Sequence, residues 1–436
     1  MPNLHTLAAE LNQVIGKENP ELFSLFSELG RRLFFPTGII TQSNEAKKYA
    51  KRYDATIGIA TEHTQAMHLP CVRSLLHSDF EAAELFPYAP SRGVTKLREF
   101  WKEKIQHDNP TLNGKTTSLP VVTSGISHGL SVAGELFFDP EDPIIMPDQY
   151  WGNYRFLWVS KLGARFAEFP MFTPKLDGFN FEGFEKQLEL YAGKKQGLVF
   201  NFPNNPTGYS PTVKDVERIR DTLIRYAKKG SRFVVICDDA YFGMVWEDSV
   251  IQESLFAYLS DAHKNILVLK VDGCTKEGFM WGFRVGFLTC AMQGLSAVTC
   301  EALETKIAGS IRASISSSAL PSQSIVYRAF NSASFAKELQ SKKALLQARY
   351  REIKHHAHAP QYSDLWDVYP CQSGYFLCLR LKTLDAETMR KHLLMQYGVG
   401  VVSSGAHDLR IAYSCLEKES IAEMLALTAQ AARDLK

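Results

Sequence analysis

No two of the eight cysteines form a CxxC pair; they are scattered at Cys71, Cys237, Cys274, Cys290, Cys300, Cys371, Cys378 and Cys415. That scatter excludes a redox pair or a metal knuckle, and no metal is expected. In a chain of 436 residues it reads as reduced, mostly buried thiols of a cytoplasmic protein. Long hydrophobic runs are missing as well. Stretches such as Gly197–Phe202 and Phe233–Cys237 have strand length and are too short to cross a bilayer. No run of Lys or Arg occurs, and a formal net charge of +2 gives no electrostatic case for nucleic acid. Residues Met1–Glu10 lack the basic-then-apolar order of a signal peptide. There is no internal repeat and no low-complexity segment beyond the serine cluster Ser314–Ser318. What remains, 45% apolar and 22% charged, is ordinary for a globular protein. The length admits two or three average domains, or one large α/β unit with a smaller partner.

The first ~55 residues have the spacing of amphipathic helix, with Leu22, Phe23, Leu25, Phe26 and Leu29 on one apolar face, up to a break at Phe34-Phe35-Pro36. From Leu119 onward, short apolar runs alternate with helix-length segments. Strands are predicted at Pro120–Thr123, Pro143–Met146, Arg165–Phe169, Gly197–Phe202, Arg232–Cys237, Ile266–Lys270 and Gly286–Cys290. Continuous apolar strands separated by helices predict a largely parallel sheet covered on both faces. Beyond about Asn331 the rhythm changes. A long helix over Ala336–His355 precedes two strands, Tyr375–Leu381 and Leu409–Tyr413, which predicts a smaller α+β domain. The division expected is 1–75 as N-terminal segment and part of the small domain, 76–330 as the large domain and 331–436 as the rest of the small one.

Functional loops in such sheets lie at the carboxyl ends of strands. Ser124-Gly125, Trp151, Asn205, Asp238 and Lys276 each follow or end a predicted strand. Lys276 stands in Thr275-Lys276-Glu277-Gly278-Phe279-Met280-Trp281-Gly282-Phe283-Arg284-Val285-Gly286. A lysine there can form an imine with an aldehyde cofactor if its surroundings lower its pKa. Asp238, after the buried run Phe233–Cys237, needs a cationic partner, and a protonated pyridine nitrogen is one. Asp239 competes for this role, but on an extended chain it points the other way. Asn205, in Asn205-Pro206-Thr207-Gly208, and Tyr241 can donate to a phenolic ring oxygen; an Asn-Pro turn and a core tyrosine are their bland readings. The amides and hydroxyls of Ser124-Gly125-Ile126-Ser127 open a helical segment and suit a phosphate, as does the Arg284 cation, although serines at a helix start also serve as simple caps. Trp151 is the ring placed to stack on a pyridine face, with Tyr150 as the alternative. Cys274, two residues before Lys276, has no nearby His to activate it and reads as a small filler. Together these groups are what is needed to hold and tune pyridoxal phosphate.

With those motifs in order, the chain resembles the pyridoxal-phosphate-dependent class I/II aminotransferases of fold type I, from about Ala55 to the C-terminus. The resemblance implies an α/β fold: a large domain with a mostly parallel mixed sheet sandwiched by helices, plus a smaller α+β domain. It implies that Lys276 carries the cofactor and shuttles a proton, that Asp238 and Tyr241 tune the ring, and that Arg410, in Leu409-Arg410-Ile411, grips the substrate α-carboxylate. Tyr88, in Tyr88-Ala89-Pro90-Ser91-Arg92-Gly93, matches a tyrosine that reaches the phosphate of a neighbouring subunit, so the family pattern implies a homodimer with shared sites.

Two stretches look specifically like aspartate and aromatic aminotransferases. Ile57-Gly58-Ile59-Ala60 resembles a pocket-lining segment, giving Ile59 and Ala60 as substrate contacts, and Phe376 matches a pocket aromatic. Ile311-Arg312-Ala313 resembles the stretch whose arginine crosses the dimer to a distal carboxylate; a helix-surface arginine is the other reading of Arg312. Three departures stand out. Gly273 occupies the place of a phosphate-binding serine, with Thr275 or bare amides as substitutes. Ala60 replaces a glycine, and Ser316–Ala319 lack an Asn-Pro-Pro sequence. The function expected is amino transfer between an amino acid, dicarboxylic or aromatic, and a 2-oxo acid in a ping-pong cycle. The alternative is β-elimination from a cysteine conjugate on the same fold. An effector domain of a transcription regulator is disfavoured, because the segment ahead of Ile57 is neither basic nor long enough for a winged helix and linker.

Overall fold

Seven apolar runs form the strands of one sheet: β1 (Val121–Thr123), β2 (Pro143–Pro147), β3 (Arg165–Phe169), β4 (Lys195–Asn201), β5 (Arg232–Asp238), β6 (Ile266–Gly273) and β7 (Gly286–Ala291). They are seen in a computed structural model that describes residues 4–35 and 38–436. The strand order is β1-β7-β6-β5-β4-β2-β3. All neighbours are parallel except β7, which runs antiparallel to both β1 and β6, so the sheet is mixed. β5 is buried from Phe233 to Asp238, and each of its large apolar side chains contributes roughly 1.5–3 kcal/mol by leaving water. Helices flank the sheet; α1 (Ile126–Phe137) lies against β5, β6 and β7 and is crossed by α2 (Ala297–Ser314).

The antiparallel β7 matters for the site. Its first residue, Gly286, pairs with Thr123 at the end of β1 and with Gly273 at the end of β6. The carboxyl ends of the parallel strands and the entry to β7 therefore share one edge. Lys276 follows β6 there by three residues, and Arg284 precedes β7 by two.

A second, antiparallel sheet has the order β8-β9-β11-β10, from β8 (Trp366–Val368), β9 (Phe376–Leu381), β10 (Val402–Ser403) and β11 (Asp408–Ala412). Its two longer strands were expected; the two short ones carry too few residues to register as apolar runs. The long helix α3 (Phe335–Ala357) precedes it. Tyr53–Asp54 pair in parallel with Val399–Gly400, and the Ala412 amide donates to the Ala55 carbonyl at 2.9 Å, which ties the segment entering Ile57 to this C-terminal unit. The two sheets meet through backbone. The Gly208 carbonyl accepts from Gln372 and Ser373 amides at 3.0 and 2.9 Å, and the Gly374 amide donates to Met244. This seam holds Phe376 beside Tyr241, ring centroids 5.5 Å apart.

The N-terminal region is helical, with helices Thr6–Glu18, Pro20–Ser24, Glu28–Arg32 and Ile39–Tyr49. The single apolar face expected for it does not form. Asn19 and Ser27 cap new helices at Leu22 and Gly30 amides, so the periodicity is cut, and Leu25 is left 81% exposed. The break expected at Phe34-Phe35-Pro36 falls partly outside the described residues.

Candidate active site

A cavity of about 270 Å³ opens at the shared sheet edge. It brings together eleven residues singled out in the sequence: Ile126, Ser127, Trp151, Asn205, Asp238, Tyr241, Thr275, Lys276, Arg284, Phe376 and Arg410. Gly58, Asn201, Ala240 and Trp281 complete the lining.

Lys276 sits on the single helical turn Cys274–Glu277 that leaves β6, its Nζ 4.7 Å from the centre of the Tyr241 ring. Burial lowers its pKa to about 8, against the pull of Asp238, and the Arg284 cation adds to the lowering. A fraction of the amine is therefore neutral near physiological pH, as a nucleophile or base requires. Burial pushes the Asp238 carboxyl up to about 6, against the Tyr154 hydroxyl and the Lys276 amine. Tyr154 donates to Asp238 Oδ2, and the Ala240 amide donates to Oδ1 at 3.0 Å. Asp239 turns away from the cavity to Lys270 and Ser254, as alternation on an extended chain requires. Burial also raises the Tyr241 hydroxyl, which keeps it a protonated donor.

The Asn205 side chain accepts from Arg410 Nη1 at 3.0 Å, which leaves its Nδ2 as the donor available to the cavity. Asn201, at the end of β4, holds this loop in place. It accepts from the Asn205 amide and donates to the Asp238 carbonyl, both at 2.8 Å. Arg410 lies 4.3 Å over the Phe376 ring, donates from Nη2 to the Thr56 carbonyl at 2.7 Å, and has a buried Nε without a partner.

At the other end, Gly125 takes φ +77° and caps α1, so the chain turns and the Ile126 and Ser127 positions face the cavity. A Cβ at residue 125 would lie 2.5 Å from Arg284 Nη2. Glycine thus makes the cradle in which the guanidinium lies. Thr275 Oγ1 and Trp281 Nε1 are both buried and unpartnered. Gly273 has no room for a side chain: a Cβ there would stand 2.6 Å from the Val285 carbonyl oxygen and 2.7 Å from Gly286 Cα. Of the substitutes for a serine at that position, Thr275 lines the cavity and keeps its hydroxyl unpartnered. Cys274 is inert, with burial pushing its thiol up to about 12. A weakly basic amine, a buried carboxylate, hydroxyl and amide donors, an orphaned hydroxyl and a guanidinium lining one cavity fit pyridoxal phosphate in donor chemistry and charge.

Six expected residues do not line the cavity. Ser124 precedes the turn, and its amide donates to His128 Nδ1 at 3.1 Å. Gly125 acts from behind Arg284. Ile59 and Ala60 face elsewhere, Ala60 fully buried; in that segment Gly58 reaches the cavity, next to Tyr241 and Phe376. Tyr88 is 93% exposed, and Arg312 is exposed on α2, donating to Ser316 at 2.6 Å. Tyr150 bonds Arg155 and Glu168 outside the site. Trp151 stands edge-on to Tyr154, which stacks on Trp158. Asn201, Tyr154 and Trp281 were missed. An asparagine closing an apolar run and a tryptophan inside the Lys276 tract were the available signals.

A family model described as aminotransferase class I and II matches residues 58–426. The aspartate aminotransferase of Bacillus subtilis is 25% identical over 213 residues, 49% of this chain and 50% of that protein. A probable aspartate/prephenate aminotransferase of Aquifex aeolicus is 28% identical over 220 residues, 50% and 51% of the two. The chain spans about half the length of these curated relatives in the matched regions. Among solved structures, an aminotransferase from Anaerococcus prevotii superposes with a TM-score of 0.81 at 22% identity, over 94% of this chain and 100% of that one. An α-aminoadipate aminotransferase from Thermus thermophilus, complexed with N-(5'-phosphopyridoxyl)-L-leucine, gives 0.74 at 19% identity over 95% and 99%. These structural likenesses carry the fold.

Proposed function

The chain belongs to the class I and II aminotransferases, and on that footing we propose that it moves an amino group from an amino acid to a 2-oxo acid in a ping-pong cycle. The observation that carries this reading is the convergence of Lys276, Asp238, Tyr241 and Arg410 on one cavity. Pyridoxal phosphate, when bound, supplies the electron sink that makes a bond at the substrate α-carbon breakable. Lys276 would hold it, Asp238 would face its ring nitrogen, and Asn205 and Tyr241 would donate to its ring oxygen. Arg284, Thr275, Ser127 and the Ile126 amide would hold its phosphate, and Trp151 would cover its ring. Lys276 Nζ, poised near pH 8, moves the α-carbon proton. Arg410 binds the substrate α-carboxylate, for which a partly unsatisfied, buried guanidinium is well suited.

The favoured substrates are aspartate and glutamate with their oxo acids. Within the cavity the basic residues are Lys276, Arg284 and Arg410, each already given a role. A distal carboxylate would therefore meet Arg312 of a second copy, in a cytoplasmic homodimer whose Tyr88 also crosses to the partner site. Trp151, Trp281 and Phe376 support aromatic amino acids as a second substrate class.

A single-turnover absorbance titration of the cofactor-loaded protein with aspartate, glutamate, alanine, tyrosine and a cysteine conjugate tests this. Conversion of the cofactor absorption to that of its amine form by aspartate or glutamate, weakened selectively in Arg312→Ala, is the expected result. Pyruvate and ammonia from the conjugate, with no amine form from any amino acid, would make the protein a β-elimination lyase and overturn the proposal.

A further inference from the structure

Behind the cavity lies a second set of buried charges. Lys270, fully buried on β6, bonds Asp239 and stands 3.5 Å from Asp272. Asp272 accepts from the Trp101 indole at 3.1 Å, and Asp239 from Ser254 at 2.6 Å. Lys104, on the helix Thr95–Asp108 that also carries Trp101, bonds Glu277 and Asp108. The Phe242 ring joins the two halves, 4.3 Å from Lys270 Nζ and 5.8 Å from Lys104 Nζ. Lys343 of α3 faces the same group of charges.

The sequence positions give this cluster its meaning. Asp239, Phe242 and Glu277, which touch its two lysines, each directly follow a cavity residue: Asp238, Tyr241 and Lys276. As a stabiliser, a buried ion cluster is a weak choice, because desolvation offsets most of the attraction. As a geometric clamp it is a good one, since a buried charge tolerates few arrangements that keep it paired. We propose that Lys104, Lys270, Asp239, Phe242 and Glu277 form one anchor that positions Lys276, Asp238 and Tyr241 from behind, an inference that rests on the amino-transfer reading above. These are positioning residues. None lines the cavity, and Glu277 acts by fixing the one helical turn that carries Lys276.

Glu277→Gln and Lys104→Met, singly and together, test the anchor by three readouts: kcat and KM for amino transfer, the rate at which apo-protein captures added pyridoxal phosphate, and the Tm. Each single variant is expected to lower kcat about tenfold with KM within about twofold, and to slow capture, because a small misplacement of a reacting group is costly. The double variant should be no worse than either single one, and Lys104→Arg should restore most of the loss. Normal kcat and capture rate in Glu277→Gln, with only the Tm lowered, would overturn the anchor. Should Glu277→Gln not fold, Phe242→Leu, which leaves the ion pairs intact, decides by the same kcat and capture criteria. Absence of amino transfer in the unaltered protein would sink the functional reading alone, since capture of the cofactor still reads the anchor.

Discussion

Lys276 concentrates the physics of the site in one side chain. Its amine is fully buried, and its folded pKa of about 8 lies below the 10.5 of a free lysine. Between those values the unfolded chain holds a proton that the folded chain does not, so stability rises with pH across that window. Below pH 8 the folded protein carries the cost of a buried cation. Lys276→Met removes that cost, and the gain should be on the order of 3 kcal/mol near pH 7, disappearing above about pH 10.5. Urea midpoints of apo-protein and variant at pH 7 and 10.5 check this; a difference that does not change with pH would contradict it. The ionisable members of the cavity were legible from motif order: Lys276 is followed at fixed spacing by Gly282, Arg284 and Gly286, Asp238 closes an apolar run where a lone charge needs a reason, and Arg410 stands between Leu409 and Ile411. Tyr154 and Asn201 were not, because their work depends on Asp238, which β5 brings to them.

At the level of elements, apolar runs located all seven strands of the main sheet, and Arg165–Phe169 coincides with β3. β6 runs three residues past the predicted Lys270. Val271, Asp272 and Gly273 continue the ladder with β7, and Asp272 is tolerated inside because Lys270 and Trp101 satisfy it. The antiparallel course of β7 leaves no mark on a continuous apolar run. The N-terminal helices were misjudged for a related reason: spacing gave the right period, but the caps at Asn19 and Ser27 divide it. Gly273 is the sharpest case of an element overriding a motif. The β6–β7 pairing presses Gly286 and Val285 against it, so Gly273→Ser should destabilise the fold by about 1–3 kcal/mol rather than add a phosphate ligand. Chemical denaturation together with cofactor affinity checks this; a stable variant that binds the cofactor more tightly would contradict it.

Across the whole molecule, the cavity draws on both sheets: Asp238, Lys276 and Arg284 from the first, Phe376 and Arg410 from the second, with Gly58 from the segment tied to the C-terminal unit. No helix among the described residues is long and apolar enough to cross a membrane. Tyr88 and Arg312 stand outside the cavity of their own chain, which is where cross-subunit residues would have to be. Mixing Lys276→Ala and Arg312→Ala chains should then regain activity on aspartate, to about a quarter of sites if assembly is random. Steady-state assays of co-refolded chains read this, and no gain over the separate variants would contradict shared sites.

Everything proposed for the cavity depends on Lys276 being the amine that holds pyridoxal phosphate. Borohydride reduction of the loaded protein, followed by peptide mass mapping, measures it directly. A single pyridoxyl adduct is expected on the peptide containing Lys276 and none in Lys276→Ala; an adduct on another lysine, or no adduct at all, would contradict this role.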